Sequence, residues 1–331
     1  MKRLLSATLL AALCGVLVLL SGCRSASSSE GARTGFALDT VISITVYEAE
    51  DTVDTETVLD ECFAEIERLE NLFSVTVPQS DISRINDADG APVQVAAETA
   101  ELLRLCLQYG DISQGAFDVT LRPVTVLWDF SADPPSLPNE DQLKDAVSTV
   151  DYRHLTVTGT TVTLTEGALD LGGIAKGYIG DRVRDLLVKR GVTSALIDLG
   201  GNIVTVGKKQ GKDWRIGVKD PLNTANLGAI LEGTDLSVVT SGVYERGFTL
   251  DGVRYHHLLS PKTGMPVQNG LASVTIVCEN SAQADALSTT CFVLGEEKAF
   301  SLLQELEGVE ALFIRDDGTI RATQGLRYTL P

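Results

Sequence analysis

The 331-residue chain reads as an α+β protein with mixed, largely antiparallel sheets and packed helices. Three observations predict this class. Stretches such as Val41-Ile42-Ser43-Ile44-Thr45-Val46-Tyr47 alternate with the period of half-buried strands. Other stretches place apolar residues three and four apart, the period of amphipathic helices. Strands and helices then follow one another without regular βαβ order.

Taken in order, the chain opens on a targeting signal. Lys2 and Arg3 precede an apolar run, residues 4–20, and then Leu20-Ser21-Gly22-Cys23, which is similar to a bacterial lipobox. Residues 1–22 are expected to leave as a lipoprotein signal peptide. Lipid on Cys23 would hold the protein outside the cytoplasm, on the bacterial cell membrane. An uncleaved membrane helix is disfavoured because the apolar span is short. Residues 23–34 are serine-rich and read as a flexible tether, leaving 35–331 as the folded domain.

Within that domain, 41–47 reads as a strand. A helix over 58–73 presents Leu59, Cys62, Phe63, Ile66, Leu69 and Phe73 on one face. A second helix is expected over 99–109, capped by Gly110. Pro134, Pro135 and Pro138 mark a loop, and Asn139 caps a short helix. A strand at 161–164 leads to Asp170-Leu171-Gly172-Gly173-Ile174-Ala175-Lys176-Gly177 and a helix through Ile179, Val183, Leu186 and Leu187, closed by Lys189, Arg190 and Gly191. Strands at 195–198 and 203–206 flank Gly200-Gly201-Asn202. Further strands are expected at 214–218, 237–240 and 272–278, then helices over 281–294 and 297–306, ended by Gly295 and Gly308. Asp316-Asp317-Gly318 turns a final hairpin.

Composition bounds the function. A hydrophobic content of 44% supports a sizeable core, and the formal charge of −18 argues against nucleic-acid binding, for lack of a basic patch to neutralise phosphates. Cys14 leaves with the leader and Cys23 carries lipid. Cys62, Cys106, Cys278 and Cys291 lie in apolar patterns without zinc-ligand spacing, so they read as buried free thiols.

Three segments carry chemistry. The glycines of 170–177 let a ligand approach the backbone, and helix-start amides favour an anion. Asp170 could orient a polar ligand and Lys176 could face a phosphate; a tight turn without a ligand is the plain alternative. Asp285 and Thr289 are four apart, so their oxygens share a helix face and suit Mg2+; an acid favoured near a helix start would look the same. His257, in Tyr255-His256-His257-Leu258-Leu259-Ser260-Pro261, could move a proton or contact a phosphate, or be structural.

Together the segments resemble the ApbE family of flavin transferases. The runs D-L-G-G-I-A-K-G-Y at 170–178 and A-D-A-L with Thr289 at 284–289 carry the likeness. So do T-S-G with Tyr244-Glu245-Arg246, G-A-F-D at 115–118, and Phe73-Ser74 with 80–86. Ser260 stands where the family often has an acid, and Leu38-Asp39-Thr40 replaces an M-G-T. The resemblance implies two lobes around a flavin cleft, with FAD contacted by Leu38, Thr76, Ala116, Phe117, Asp118, Asp170, Lys176 and Leu259. It implies Mg2+ on Asp285, Thr289 and the main-chain oxygen of Gly173. It further implies transfer of FMN from FAD to a threonine of an acceptor protein, a membrane-associated redox subunit, releasing AMP. His257 or Asp285 would assist proton removal. Two other functions use the same features: hydrolysis of FAD to FMN and AMP, and flavin or solute binding without catalysis.

Overall fold

The computed structural model describes residues 30–130 and 132–331. The expected signal peptide, Cys23 and most of the expected tether lie outside the described residues.

In chain order the elements are β1 (Gly31–Ala37), β2 (Thr40–Ala49), α1 (Thr55–Phe73), α2 (Asp81–Asn86), β3 (Val93–Gln94), α3 (Ala97–Ile112), α4 (Arg122–Thr125), α5 (Glu140–Ser148), β4 (Leu155–Thr158), β5 (Thr161–Leu164) and α6 (Ala175–Lys189). There follow β6 (Val192–Leu199), β7 (Asn202–Gly207), β8 (Trp214–Asp220), β9 (Asn223–Gly233), β10 (Ser237–Gly242), β11 (Gly247–Leu250), β12 (Val253–His256), β13 (Leu271–Cys278), α7 (Ser281–Leu294), α8 (Glu296–Leu303), β14 (Glu310–Arg315), β15 (Ile320–Ala322) and β16 (Tyr328–Thr329).

The backbone of the fold is an eight-stranded sheet in the order β1-β2-β6-β7-β10-β13-β14-β15. Every neighbouring pair in it is antiparallel. Its pleat sorts side chains to two faces. Ile42, Ile44, Ile197, Val204, Val239 and Ile276 point into the main core, where α1, α6 and α7 pack. Leu196, Ile203, Val238, Val277 and Leu312 point the other way, onto Trp214, Ile216, Val218 and Leu231 of the small sheet β16-β9-β8. β13 is covered on both faces, so all eight of its residues are buried. This is why it reads as mostly apolar, broken only by the small hydroxyl residues Ser273 and Thr275. Each fully buried aliphatic side chain contributes ~1.5–3 kcal/mol.

A third, smaller cluster joins α4 and α5 to the β11–β12 hairpin through Trp128, Leu143, Phe248 and Leu259. The Trp128 and Phe130 rings stack 5.5 Å apart, and Trp128 Nε1 donates to the Gly264 carbonyl at 2.9 Å. This cluster seats the hairpin that leads into His257.

Several expectations are corrected. Residues 31–34, expected in the tether, lie in β1 and pair with residues 43–46. Glycine at 35, next in the same strand, admits α1: a Cβ there would lie 2.6 Å from the Phe63 ring. Gly110 does not end a helix, because α3 runs on to Ile112; it is glycine because a Cβ would meet the Tyr152 ring at 2.5 Å. The helix expected over 297–306 closes at Leu303. The hairpin β11–β12 takes in Tyr255 and His256. The four cysteines are free and buried, as expected.

Candidate active site

The glycine turn is held from several sides before α6 begins. Asn86 brackets Leu169, accepting from its N–H at 2.6 Å and donating to its carbonyl at 3.0 Å. The N–H of Asp170 donates to the Val119 carbonyl at 2.8 Å. Asp170 Oδ1 in turn accepts from the Gly172 N–H at 2.9 Å, a local Asx turn. The chain then enters α6, with the Ala175 N–H bonded back to the Leu171 carbonyl at 2.9 Å.

α6 and α7 meet start to start. Asp181 of α6 accepts from the N–H groups of Ser281 and Ala282, both at 2.8 Å, and so satisfies the opening amides of α7. Asp285 of α7 returns the bond, its Oδ2 accepting from the Gly177 N–H at 2.8 Å. Only glycine permits this approach, since a Cβ at 177 would sit 2.2 Å from the Ser281 carbonyl oxygen. One turn along α7, Thr289 faces Gly173: a Cβ on Gly173 would lie 3.5 Å from Thr289 Oγ1 and 3.3 Å from the Phe117 ring. Gly173, Asp285 and Thr289 are thereby brought into one notch.

Several titratable groups meet around this notch. Burial pushes the Asp285 carboxyl above its ordinary range, opposed by Lys176, the Gly177 N–H and Asn202. Asn202 lies close enough to favour the charged form, although its amide nitrogen makes no hydrogen bond of normal geometry. Glu245, though its side chain reaches solvent, is raised by partial desolvation of its carboxylate and opposed by Lys176. His257 is lowered to about 4, chiefly by burial, with positive neighbours including Lys176 acting in the same direction. Its Nε2 stands 3.9 Å from Glu245 Oε2, and its Nδ1 is buried without a partner. Lys176 is therefore the shared neighbour of Asp285, Glu245 and His257. His256 is structural: its Nε2 meets the Val267 carbonyl at 3.1 Å and its Nδ1 accepts from the Leu258 N–H at 3.3 Å.

The remaining candidates are spread around this notch. The N–H of Leu38 donates to Glu70 on α1 at 2.8 Å, and exposed Thr76 bonds Ser74 just beyond the end of α1. That end of α1 abuts the start of α6 through the Phe73 and Tyr178 rings, 5.6 Å apart. Ala116 and Phe117 are buried beside the turn. Leu259 is buried in the small aromatic cluster. The carboxylate of Asp118 is committed within the fold, its Oδ1 accepting from Thr120 and its Oδ2 from the Tyr152 N–H at 2.9 Å. Asp181, Asn202 and Glu245 were given no role from the sequence. The helical spacing of Gly177 to Asp181, matching that of Asp285 to Thr289, is the signal that could have found Asp181.

The donor set suits a hard divalent cation. The Asp285 carboxylate and Thr289 hydroxyl are oxygen donors, as the main-chain oxygen of Gly173 would be, and burial outweighs what favours the Asp285 charge. Among the described residues no cluster of three or more His, Cys, Asp or Glu could hold a metal alone. A cation here would therefore keep waters or substrate oxygens in its shell.

The ApbE family model matches residues 38–313. The FAD:protein FMN transferase of Treponema pallidum is 37% identical, over 94% of this chain and 93% of its own. That of Klebsiella pneumoniae is 36% identical over 83% and 88%. The crystal structure of the ApbE protein of Thermotoga maritima superposes with a TM-score of 0.82 at 31% identity, covering 89% of this chain and 97% of that one. Flavin transferase ApbE from Vibrio cholerae gives 0.81 at 29% identity, covering 89% and 97%. Fold and site thus define the class, an α+β enzyme built like solved flavin transferases. Within that class the chain belongs to the ApbE family.

Buried His256 and half-buried His257 predict an acid limb in stability. His256 and His257 are each lowered from 6.5 to about 4 in the fold. Between those values the unfolded chain binds more protons, so their contribution is complete above pH 6.5 and is lost as pH falls toward 4. Glu245 and Asp285, both raised by desolvation, act with the opposite sign. Urea midpoints at pH 7, 5.5 and 4.5 should fall for the parent and fall less steeply for His257→Gln. Parallel profiles would contradict a half-buried, neutral His257.

Proposed function

We propose that this chain transfers FMN from FAD to a threonine of an acceptor protein with the help of Mg2+. The threonine oxygen forms a bond to the flavin-side phosphorus, the anhydride P–O bond breaks, and AMP leaves with the bonding electrons. The observation that carries this reading is the oxygen-only notch of Gly173, Asp285 and Thr289 beside Lys176.

In this reading the three oxygens hold Mg2+, which when bound neutralises charge developing on the pyrophosphate. Lys176 and the glycine turn bind phosphate oxygens and orient the anhydride. Leu38, Thr76, Ala116, Phe117, Asp170 and Leu259 lie along the nucleotide, and Asp118 shapes the turn on which Ala116 and Phe117 sit. Asp285 already accepts from Gly177 and serves the cation with its remaining capacity. The proton of the incoming threonine therefore goes to His257, a neutral imidazole whose Nε2 is near Glu245. Burial makes His257 a weak base, so it accepts the proton late, as the oxygen–phosphorus bond forms.

The reading extends to location. Lipid on Cys23 would place the site at the outer face of the cell membrane, near a membrane-associated redox subunit as acceptor. Loss of lipid labelling in Cys23→Ala is expected, and normal labelling would remove that part.

Asp285→Asn keeps an acceptor for the Gly177 N–H while removing the carboxylate charge. With FAD, Mg2+ and an acceptor protein, covalent flavin on the acceptor should form ~100-fold more slowly, or worse, with folding intact. Flavin fluorescence of the denatured acceptor reads the outcome. A parent-like rate would sink the assignment, and free FMN without labelled acceptor would point to hydrolysis.

A further inference from the structure

We propose that Ser241 and Ser288 form a one-way chain of hydroxyls that fixes the direction of the Thr289 hydroxyl, making Ser241 a positioning residue for the cation ligand. This rests on the reading above, in which Thr289 binds a divalent cation.

Three contacts carry the argument. Ser288 Oγ donates to the main-chain oxygen of Asp285 at 2.9 Å. Ser241 Oγ lies 2.8 Å from Ser288 Oγ, and Thr289 Oγ1 lies 3.4 Å from Ser241 Oγ. A hydroxyl has one hydrogen to give. A carbonyl oxygen only accepts, so the Ser288 hydrogen is committed to Asp285. Ser288 must then accept from Ser241. With its own hydrogen committed, Ser241 must accept from Thr289. Thr289 is left as a donor toward β10, with its lone pairs free for the side where Gly173 stands.

Ser241 and Ser288 are buried, which keeps water from reversing these directions. A hydroxyl pointing its hydrogen into the notch would repel a cation, whereas this one offers only lone pairs. A cation on Thr289 would in turn make its hydrogen a stronger donor, so the long 3.4 Å contact and the cation support each other. The chain also runs from one ligand to another, since it ends on the main chain of Asp285. Partners behind the ligands commonly change metal affinity ~10–100-fold.

The test is a titration of Mn2+ in the presence of FAD, following free Mn2+ by electron paramagnetic resonance. It uses the parent, Ser241→Ala, Ser288→Ala and Asp285→Asn. Ser241→Ala should weaken Mn2+ binding ~10-fold. It should raise the Mg2+ concentration for half-maximal transfer in step, with the plateau rate recovered at high Mg2+. Ser288→Ala frees the Ser241 hydrogen without removing its oxygen, so a smaller weakening is expected. A Ser241→Ala protein that melts earlier yet binds Mn2+ like the parent, while Asp285→Asn does not, overturns the proposal and leaves the metal site standing. If Asp285→Asn also binds like the parent, the metal reading itself falls. Should Ser241→Ala not fold, parent-like Mn2+ affinity in Ser288→Ala overturns the proposal alone.

Discussion

Two buried carboxylates, each closing the first turn of the other's helix, are the constraint on which the rest depends. Asp181 accepts from the opening amides of α7, and Asp285 accepts from the Gly177 N–H of α6. Hydrogen bonds from amides to a charged acceptor are worth ~1.5–3 kcal/mol each, and leaving either carboxylate unpartnered in this interior would cost more. The pairing demands the close approach that Gly177 allows. It also points Asp285 into the notch rather than toward solvent. One contact therefore builds the helix layer and sets the one carboxylate of the proposed cation site.

The sheet beneath serves that contact. β7 and β10 carry Asn202 and Ser241 up to α6 and α7, and β13 leads directly into α7. Because the central strands are covered on both faces, this platform has little freedom to shift. The β11–β12 hairpin, clamped by Trp128 and its neighbouring rings, delivers His257 from the opposite side. Lys176 then stands among buried Asp285, exposed Glu245 and a neutral imidazole. On a chain of net charge −18, that local arrangement of a cation and aligned amides can attract an anionic dinucleotide where the protein as a whole cannot.

Much of this was legible in the sequence where a local rule decides. The alternation of 41–47, the helix of 281–294 and the four-residue spacing of Asp285 and Thr289 depend on nothing distant. β1 escaped notice because an edge strand is held through backbone bonds on one side, which its polar, glycine-containing residues do not advertise. Gly110 misled because a helix-ending glycine and a glycine making room for Tyr152 look alike in one dimension. Asp181, Asn202 and Ser241 act across elements far apart in the chain, and only the folded sheet brings them together. Asp118, expected at the nucleotide, has its oxygens engaged by Thr120 and by the N–H of Tyr152 from a distant segment, a tie that only the fold reveals.

The central claim is that Gly173, Asp285 and Thr289 form one cation site facing the FAD pyrophosphate. Anomalous diffraction from crystals soaked with Mn2+ and FAD tests it most directly. The account predicts a peak within bonding distance of the Gly173 carbonyl, the Asp285 carboxylate and the Thr289 hydroxyl, with a phosphate oxygen completing part of its shell. Bound FAD with no peak in that notch, or with Mn2+ held by other residues, would contradict it.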